Sequence, residues 1–167
     1  MPTARASRPA GPMDRVVELE IPARPEFVGI ARMAIGALAG IRPGFAYERI
    51  DDLRIVVSEA CTSAIEMLAH EPDGAVPSAL IVRCVDGPKS LEVRIEAPGS
   101  AFGSVFPAES AAGSQDGSGE GSADEDSFRI SLIRALVDDA ELRTTPERTE
   151  LCLVMHRDAA ASEADGA

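Results

Sequence analysis

Glu59 and Ser63 stand four residues apart in the longest helical pattern of the chain, Ala46 to His70. Side chains at i and i+4 share one helix face, so this carboxylate and this hydroxyl can share one site. Glu66 lies on the same stripe, with Ile55 or Val56. Plainer readings stay open: Glu59 as a solvated glutamate, Ser63 as a small residue packing one helix on another. Further on, Arg129 carries a guanidinium that can pair with phosphate or simply serve as a charge at a helix start. No His/Cys/Asp cluster has metal-ligand spacing, and there is no G-x-S-x-G elbow. His70 falls in a last helical turn, where a cation suits the helix dipole, and His156 falls near a strand end; neither is given a catalytic role. Cys61, Cys84 and Cys152 are odd in number, far apart and set in apolar runs. They are expected to be buried, reduced thiols.

The elements that position these residues follow from hydrophobic period. Val16 to Ile21 alternates apolar and acidic residues, as a half-buried strand does. Pro22 and Pro25 open a helix in which Phe27, Ile30, Ala31, Ala34, Ala37 and Leu38 recur at helical spacing. It stops near Gly40 to Pro43. In the long helix, Ile50, Leu53, Val57, Ala60, Ala64 and Leu68 form the core stripe, and Glu71-Pro72-Asp73-Gly74 ends it. Ala79 to Val85 and Leu91 to Ala97 flank Asp86-Gly87-Pro88-Lys89, a hairpin signal. Pro98 to Asp126 is built of Gly, Ser, Ala, Asp and Glu, a flexible acidic stretch. Order is expected from Ser127, where Phe128, Leu132, Ala135 and Leu136 mark a third helix, broadened by Ile133 and Val137. Ala140 to Thr144 and Thr149 to His156 read as strands joined through Pro146.

This order predicts an α+β protein, a two-layer α/β sandwich with a mixed, mostly antiparallel sheet and three helices on one face. The expected organisation is a disordered leader (1–15), one domain (16–157) with a lid-like acidic loop (98–126), and a disordered tail (158–167). At 167 residues and 17.5 kDa the chain suits a single domain with a real core. An apolar content of 45% excludes wholesale disorder. The net charge of -12 excludes a general phosphate-neutralising surface for nucleic acid. Residues 96–126 hold seven acidic and no basic side chains, so much of the charge sits in the lid-like stretch. No apolar run approaches the ~20 residues of a membrane span, and the N-terminal arginines precede no apolar segment, so neither a membrane anchor nor a secretory signal is expected. The reading is cytoplasmic.

The run Asp51-Asp52-Leu53-Arg54-Ile55-Val56-Val57-Ser58-Glu59-Ala60-Cys61-Thr62-Ser63-Ala64 resembles the N-box helix of the anti-sigma-factor serine kinases, the RsbW type. These belong to the GHKL superfamily of histidine-kinase-like ATPases, whose domain is the Bergerat fold. Leu132-Ile133-Arg134-Ala135-Leu136-Val137-Asp138-Asp139 is similar to the helix that follows the family's ATP lid, and element order agrees over roughly 16–157. The resemblance implies that Glu59 matches the general-base glutamate, and that Ser63 stands where an asparagine coordinates Mg²⁺. The family's D-x-G-x-G box corresponds to Ala97-Pro98-Gly99-Ser100-Ala101: Gly99 survives, but the adenine-reading aspartate is Ala97. Glu96 is adjacent, yet it faces the other side of the strand. The G-x-G-L motif corresponds to Ser127-Phe128-Arg129-Ile130, so both phosphate-cradling glycines are gone.

What the resemblance implies for function therefore divides. As a binding module, the chain would sequester an RNA polymerase sigma factor and be released by an anti-anti-sigma protein, with the nucleotide site degraded and ATP and Mg²⁺ weakly held or lost. Its acidic surface suits a basic sigma region. As an enzyme, it would be an ATP-dependent serine/threonine kinase acting on the anti-anti-sigma protein, with Glu59 as base, Ser63 on the metal, and Gly99 and Arg129 at the nucleotide. A homodimer stays open as a further association. The missing glycines and aspartate rank the binding module first.

Overall fold

The computed structural model describes residues 11, 13–69, 79–99, 122–145 and 147–158, with backbone alone for 122–127. Its elements are β1 (Arg15–Pro22), α1 (Pro25–Ala39), α2 (Tyr47–Ala69), β2 (Ala79–Asp86), β3 (Ser90–Pro98), α3 (Ser122–Leu136), β4 (Asp139–Thr144) and β5 (Arg148–His156). Most of the expected leader (1–15), the turn at 71–74, His70, Pro146, most of the acidic loop and most of the tail lie outside the described residues, while Arg15, placed in the leader, opens β1.

The five strands form one sheet in the order β1-β2-β3-β5-β4. The expected mixed pairing gives way to an antiparallel sheet, since every neighbouring pair is antiparallel. The physical reason is the position of β5. The chain crosses from β3 through α3 to the edge strand β4, and β5 then folds back into the gap. β3 and β4 run parallel to one another but never touch as ladder partners.

Strand alternation sorts the two faces. Ile21, Leu80, Val82, Cys84, Leu91, Val93, Ile95, Ala97, Leu151, Leu153 and Met155 are buried and face the helices. The outer face carries Glu18, Arg83, Glu92, Arg94, Glu96, Glu150, Glu141 and Arg143. Like charges sit opposite each other at Arg83–Arg94 and Glu96–Glu150. Each is offset by a partner of opposite sign: Glu18 for Arg83, Glu92 for Arg94, Arg148 for Glu96 and Arg143 for Glu150. This ladder lets a charged face persist on a sheet whose other side is apolar.

The core stripe of α2 is as expected, with Leu53, Val57, Ala60, Ala64 and Leu68 buried, and Val56, not the exposed Ile55, on the second stripe. In α1 the inward face is Val28, Ala31, Ile35, Gly36 and Ala39, so the expected stripe is shifted: Ile30 and Ala37 point outward. An alanine-rich helix has small apolar groups on every side, and its period therefore fixes the buried face poorly. α3 begins at Ser122, earlier than the expected Ser127. It packs through Ile130, Ile133, Leu136 and Val137, while Phe128 and Ala135 are exposed.

At one end of the sheet a second device holds the fold. Asp86 ends β2 and Arg157 follows β5, and both side chains are buried and ion-paired. Arg157 also donates to the carbonyls of Gly87 (3.1 Å), Arg42 (3.0 Å) and Pro43 (3.0 Å). Its guanidinium lies 4.4 Å from the centroid of the Phe45 ring. Arg42 adds a second cation to Asp86 at 3.0 Å. The cluster pins the α1–α2 loop to the β2–β3 hairpin, whose turn closes through Gly87 N–H to Ser90 O at 3.0 Å.

Candidate functional site

The site lies at the junction of α2 and α3. Its α2 side follows from helical spacing: Glu59, Ser63 and Glu66 occupy one face at i, i+4 and i+7. Ser63 is buried, while Glu59 and Glu66 are partly exposed. Its α3 side is Arg129. One guanidinium nitrogen, Nη1, donates to Ser63 Oγ at 3.4 Å and makes a close ion pair with the Glu66 carboxylate. Nη2 reaches the other Glu66 oxygen at 3.5 Å, and Nε lies 4.0 Å from Glu59 Oε2. Three of the four expected site residues, Glu59, Ser63 and Arg129, are therefore brought together.

Two arginines seat α3 on α2. Arg49, near the start of α2, donates to the Leu136 carbonyl at the end of α3 (3.1 Å) and pairs with Asp138 at 2.7 Å. Arg129 makes the matching tie between the first half of α3 and the second half of α2. The helices consequently run antiparallel. Arg49 also satisfies a carbonyl that the helix end leaves without an internal partner.

The fourth expected residue, Gly99, belongs to the sheet end rather than to this contact. It follows β3 with φ +67°, a left-handed conformation that glycine adopts without the cost a Cβ would bring. Its N–H donates to Glu147 O at 3.0 Å, and its carbonyl accepts from Thr149 Oγ1 at 2.6 Å. Thr149 is fully buried and stands opposite Ala97 in the β3–β5 register. Ala97 itself is core, and Glu96 turns to the outer face, where its carboxylate pairs with Arg148 at 3.0 Å. The expectation that Glu96 faces away from the helices is met.

Glu66 joins the site only in the structure, as the carboxylate paired with Arg129. The signal was present in its spacing, three residues after Ser63 on the same face, but its partner is 63 residues distant in the chain. The cysteines are free and buried, as expected. Burial pushes the Cys61 thiol from its ordinary 9.0 up to about 12. Burial does the same to Cys84 and Cys152, raising each to about 12, with Asp86 and Glu92 respectively adding to the effect. Among the described residues no group of three or more His, Cys, Asp or Glu is placed to hold a metal. None of their helices is long and apolar enough to cross a membrane.

The antiparallel sheet, the three helices and this α2 face set the frame for comparison with known proteins. The family model described as a histidine kinase-like ATPase domain matches residues 21–155. The chain belongs to this family. The serine-protein kinase RsbW of Bacillus pumilus (strain SAFR-032) is 31% identical over 128 residues, covering 77% of this chain and 78% of that protein. The serine-protein kinase RsbW of Listeria monocytogenes serovar 1/2a is 31% identical over 126 residues, covering 75% and 78%. The protein of that name from Bacillus subtilis (strain 168) is 48% identical over a shorter stretch of 50 residues. Within the histidine kinase-like ATPases, the chain thus falls among relatives of the RsbW kind.

A family of ATPases implies a nucleotide with Mg²⁺ as ligand, and the residues present fit it only in part. Glu59 is partly exposed, and Gly99 keeps a glycine-favouring backbone. Against the fit, Ala97 has no side-chain acceptor and is sealed in the core. Arg129 lays a cation over the face from which Glu59 and Ser63 would reach a metal.

Proposed function

We propose that the chain is an anti-sigma regulatory factor. It acts as a binding module that holds an RNA polymerase sigma factor and exchanges it for an anti-anti-sigma protein. The observation that carries this reading is the Arg129 guanidinium seated on the Glu59–Ser63–Glu66 face, together with Ala97, a buried residue without a side-chain acceptor. Holding a partner needs a shaped, charged surface and no phosphoryl transfer. Such a surface is supported by the net charge of -12, which suits a basic partner. Ile30 and Met33, three residues apart on α1, are 53% and 70% exposed and offer apolar contact. Reduced, buried thiols accord with work in the cytoplasm.

The test is capture of a sigma factor by the purified full chain with no nucleotide present, followed by calorimetry. Saturable binding to sigma, and its reversal by an anti-anti-sigma protein, is the expected result. Equal binding to sigma and to an unrelated basic protein of similar size would refute it.

A kinase reading has one observation in its favour: Glu59 retains partial exposure with a hydroxyl one turn away. Titration of Mg-ATP into the protein, then a phosphotransfer assay with wild type and Glu59→Ala, decides it. Transfer by wild type that Glu59→Ala abolishes would replace the binding-module reading.

A further inference from the structure

Glu59, Ser63 and Glu66 put two negative charges and a buried hydroxyl on one helix face. Carboxylates collected this way repel one another and favour any cation that approaches. A divalent ion would have to shed part of its hydration shell to enter, which Mg²⁺ does reluctantly. A guanidinium is more weakly hydrated and brings several donors in a planar fork. When it is tethered to α3 it also has a high effective concentration at α2. Arg129 uses this advantage: it reaches all three side chains at once and is itself only 22% exposed.

We propose that Arg129 is the resident cation of this face, taking the place of a divalent ion between Glu59, Ser63 and Glu66 and fastening the middle of α3 to α2 as it does so. The inference rests on the reading of the chain as a module that works without metal, and it says how metal is kept out. The same side chains would become a weak divalent-ion site once the guanidinium was removed.

The experiment is a Mn²⁺ titration of the ¹⁵N-labelled full chain, read as paramagnetic broadening of amide signals on α2. Residues 51 and 52, an acidic pair on the same helix, act as the internal reference. In wild type, residues 59–66 are expected to broaden no more readily than that pair. In Arg129→Gln they should broaden at roughly tenfold lower Mn²⁺, with the reference unchanged. Arg129→Lys, which keeps a cation, should behave as wild type, and adding Glu59→Gln to Arg129→Gln should abolish the gain. If Arg129→Gln unfolds, Arg129→Met keeps the aliphatic stem and serves in its place. The same Mn²⁺ dependence at 59–66 with and without the guanidinium, whether strong or absent in both, overturns the proposal. Sigma capture is a separate readout on the same samples: its failure with Mn²⁺ still excluded would sink the proposed function alone.

Discussion

The Ser63 hydroxyl, buried on α2, accepts a hydrogen bond at 3.4 Å from Arg129 Nη1, 66 residues later on α3. The contact joins the N-box-like run of α2 to the middle of α3. Here they meet directly, and Glu66 completes the meeting as the main charge partner. The α2–α3 junction is therefore closed by the protein's own side chains.

That closure is tight in geometry and modest in energy. Arg129 and Glu66 are 22% and 50% exposed, and ion pairs of this kind contribute about 0.2–1 kcal/mol. A double-mutant cycle with Arg129→Ala and Glu66→Ala, measured by urea unfolding, should return a coupling of that size. The coupling should shrink markedly in 1 M salt, where screening is short-ranged (about 3 Å). A coupling well above 2 kcal/mol would mean that α3 depends on this tie more than the exposure allows.

At the other sheet end the balance differs. The Arg157 and Asp86 side chains are each 2% exposed. Removing Arg157 leaves the buried Asp86 with Arg42 as its remaining cation and takes the donor from the Gly87, Arg42 and Pro43 carbonyls, at a cost on the order of 3 kcal/mol. Arg157→Ala should therefore destabilise far more than Arg129→Ala. The loss should be nearly insensitive to salt, and chemical denaturation of the two variants side by side would show it.

The thiols set an alkaline limit. Their folded-state values are raised from 9.0 to about 12, so the fold favours the neutral form. Below pH 9.0 folded and unfolded chains both keep these protons and the stability is fully present. As pH rises from 9.0 towards 12 the unfolded chain ionises first, and stability falls. Unfolding midpoints measured across this window should drop steadily. Alkylation of the three cysteines at pH 8 should be slow until denaturant is added, because the thiolate is the reactive form.

Ala97→Asp restores the acceptor that the family pattern carries. Its cost here should be on the order of 3 kcal/mol, because a carboxylate would enter a core position without a matching partner. Thermal melts with and without Mg-ATP should show a destabilised protein with no nucleotide-dependent rescue, since Arg129 still covers the α2 face. Strong rescue by Mg-ATP would show that the aspartate alone was limiting.

Much of the fold was legible because its signals are local. Strand alternation at Leu91, Val93 and Ile95 gives the buried face directly, since a period of two leaves one answer. The α2 stripe from Leu53 to Leu68 is equally plain against its polar neighbours. α1 was harder, for the alanines and Ile30 offer more than one apolar side. On α3 helical spacing puts the strongly apolar Phe128 on the stripe, yet it lies exposed while Ile133 is buried.

Element order, the N-box-like run around Glu59, the missing acceptor and glycines at Ala97, Ser127 and Arg129, and the buried cysteines can all be read from the residues in order. Each is a matter of residue type or of spacing within one element. Only the packed fold shows that β5 enters between β3 and β4, that Arg157 pairs with Asp86, and that Arg129 settles on Ser63 and Glu66. Those contacts join residues 63 to 71 positions apart. Helix and strand periods say which way a side chain faces, but the partner it meets depends on how the packed elements dispose of their charges.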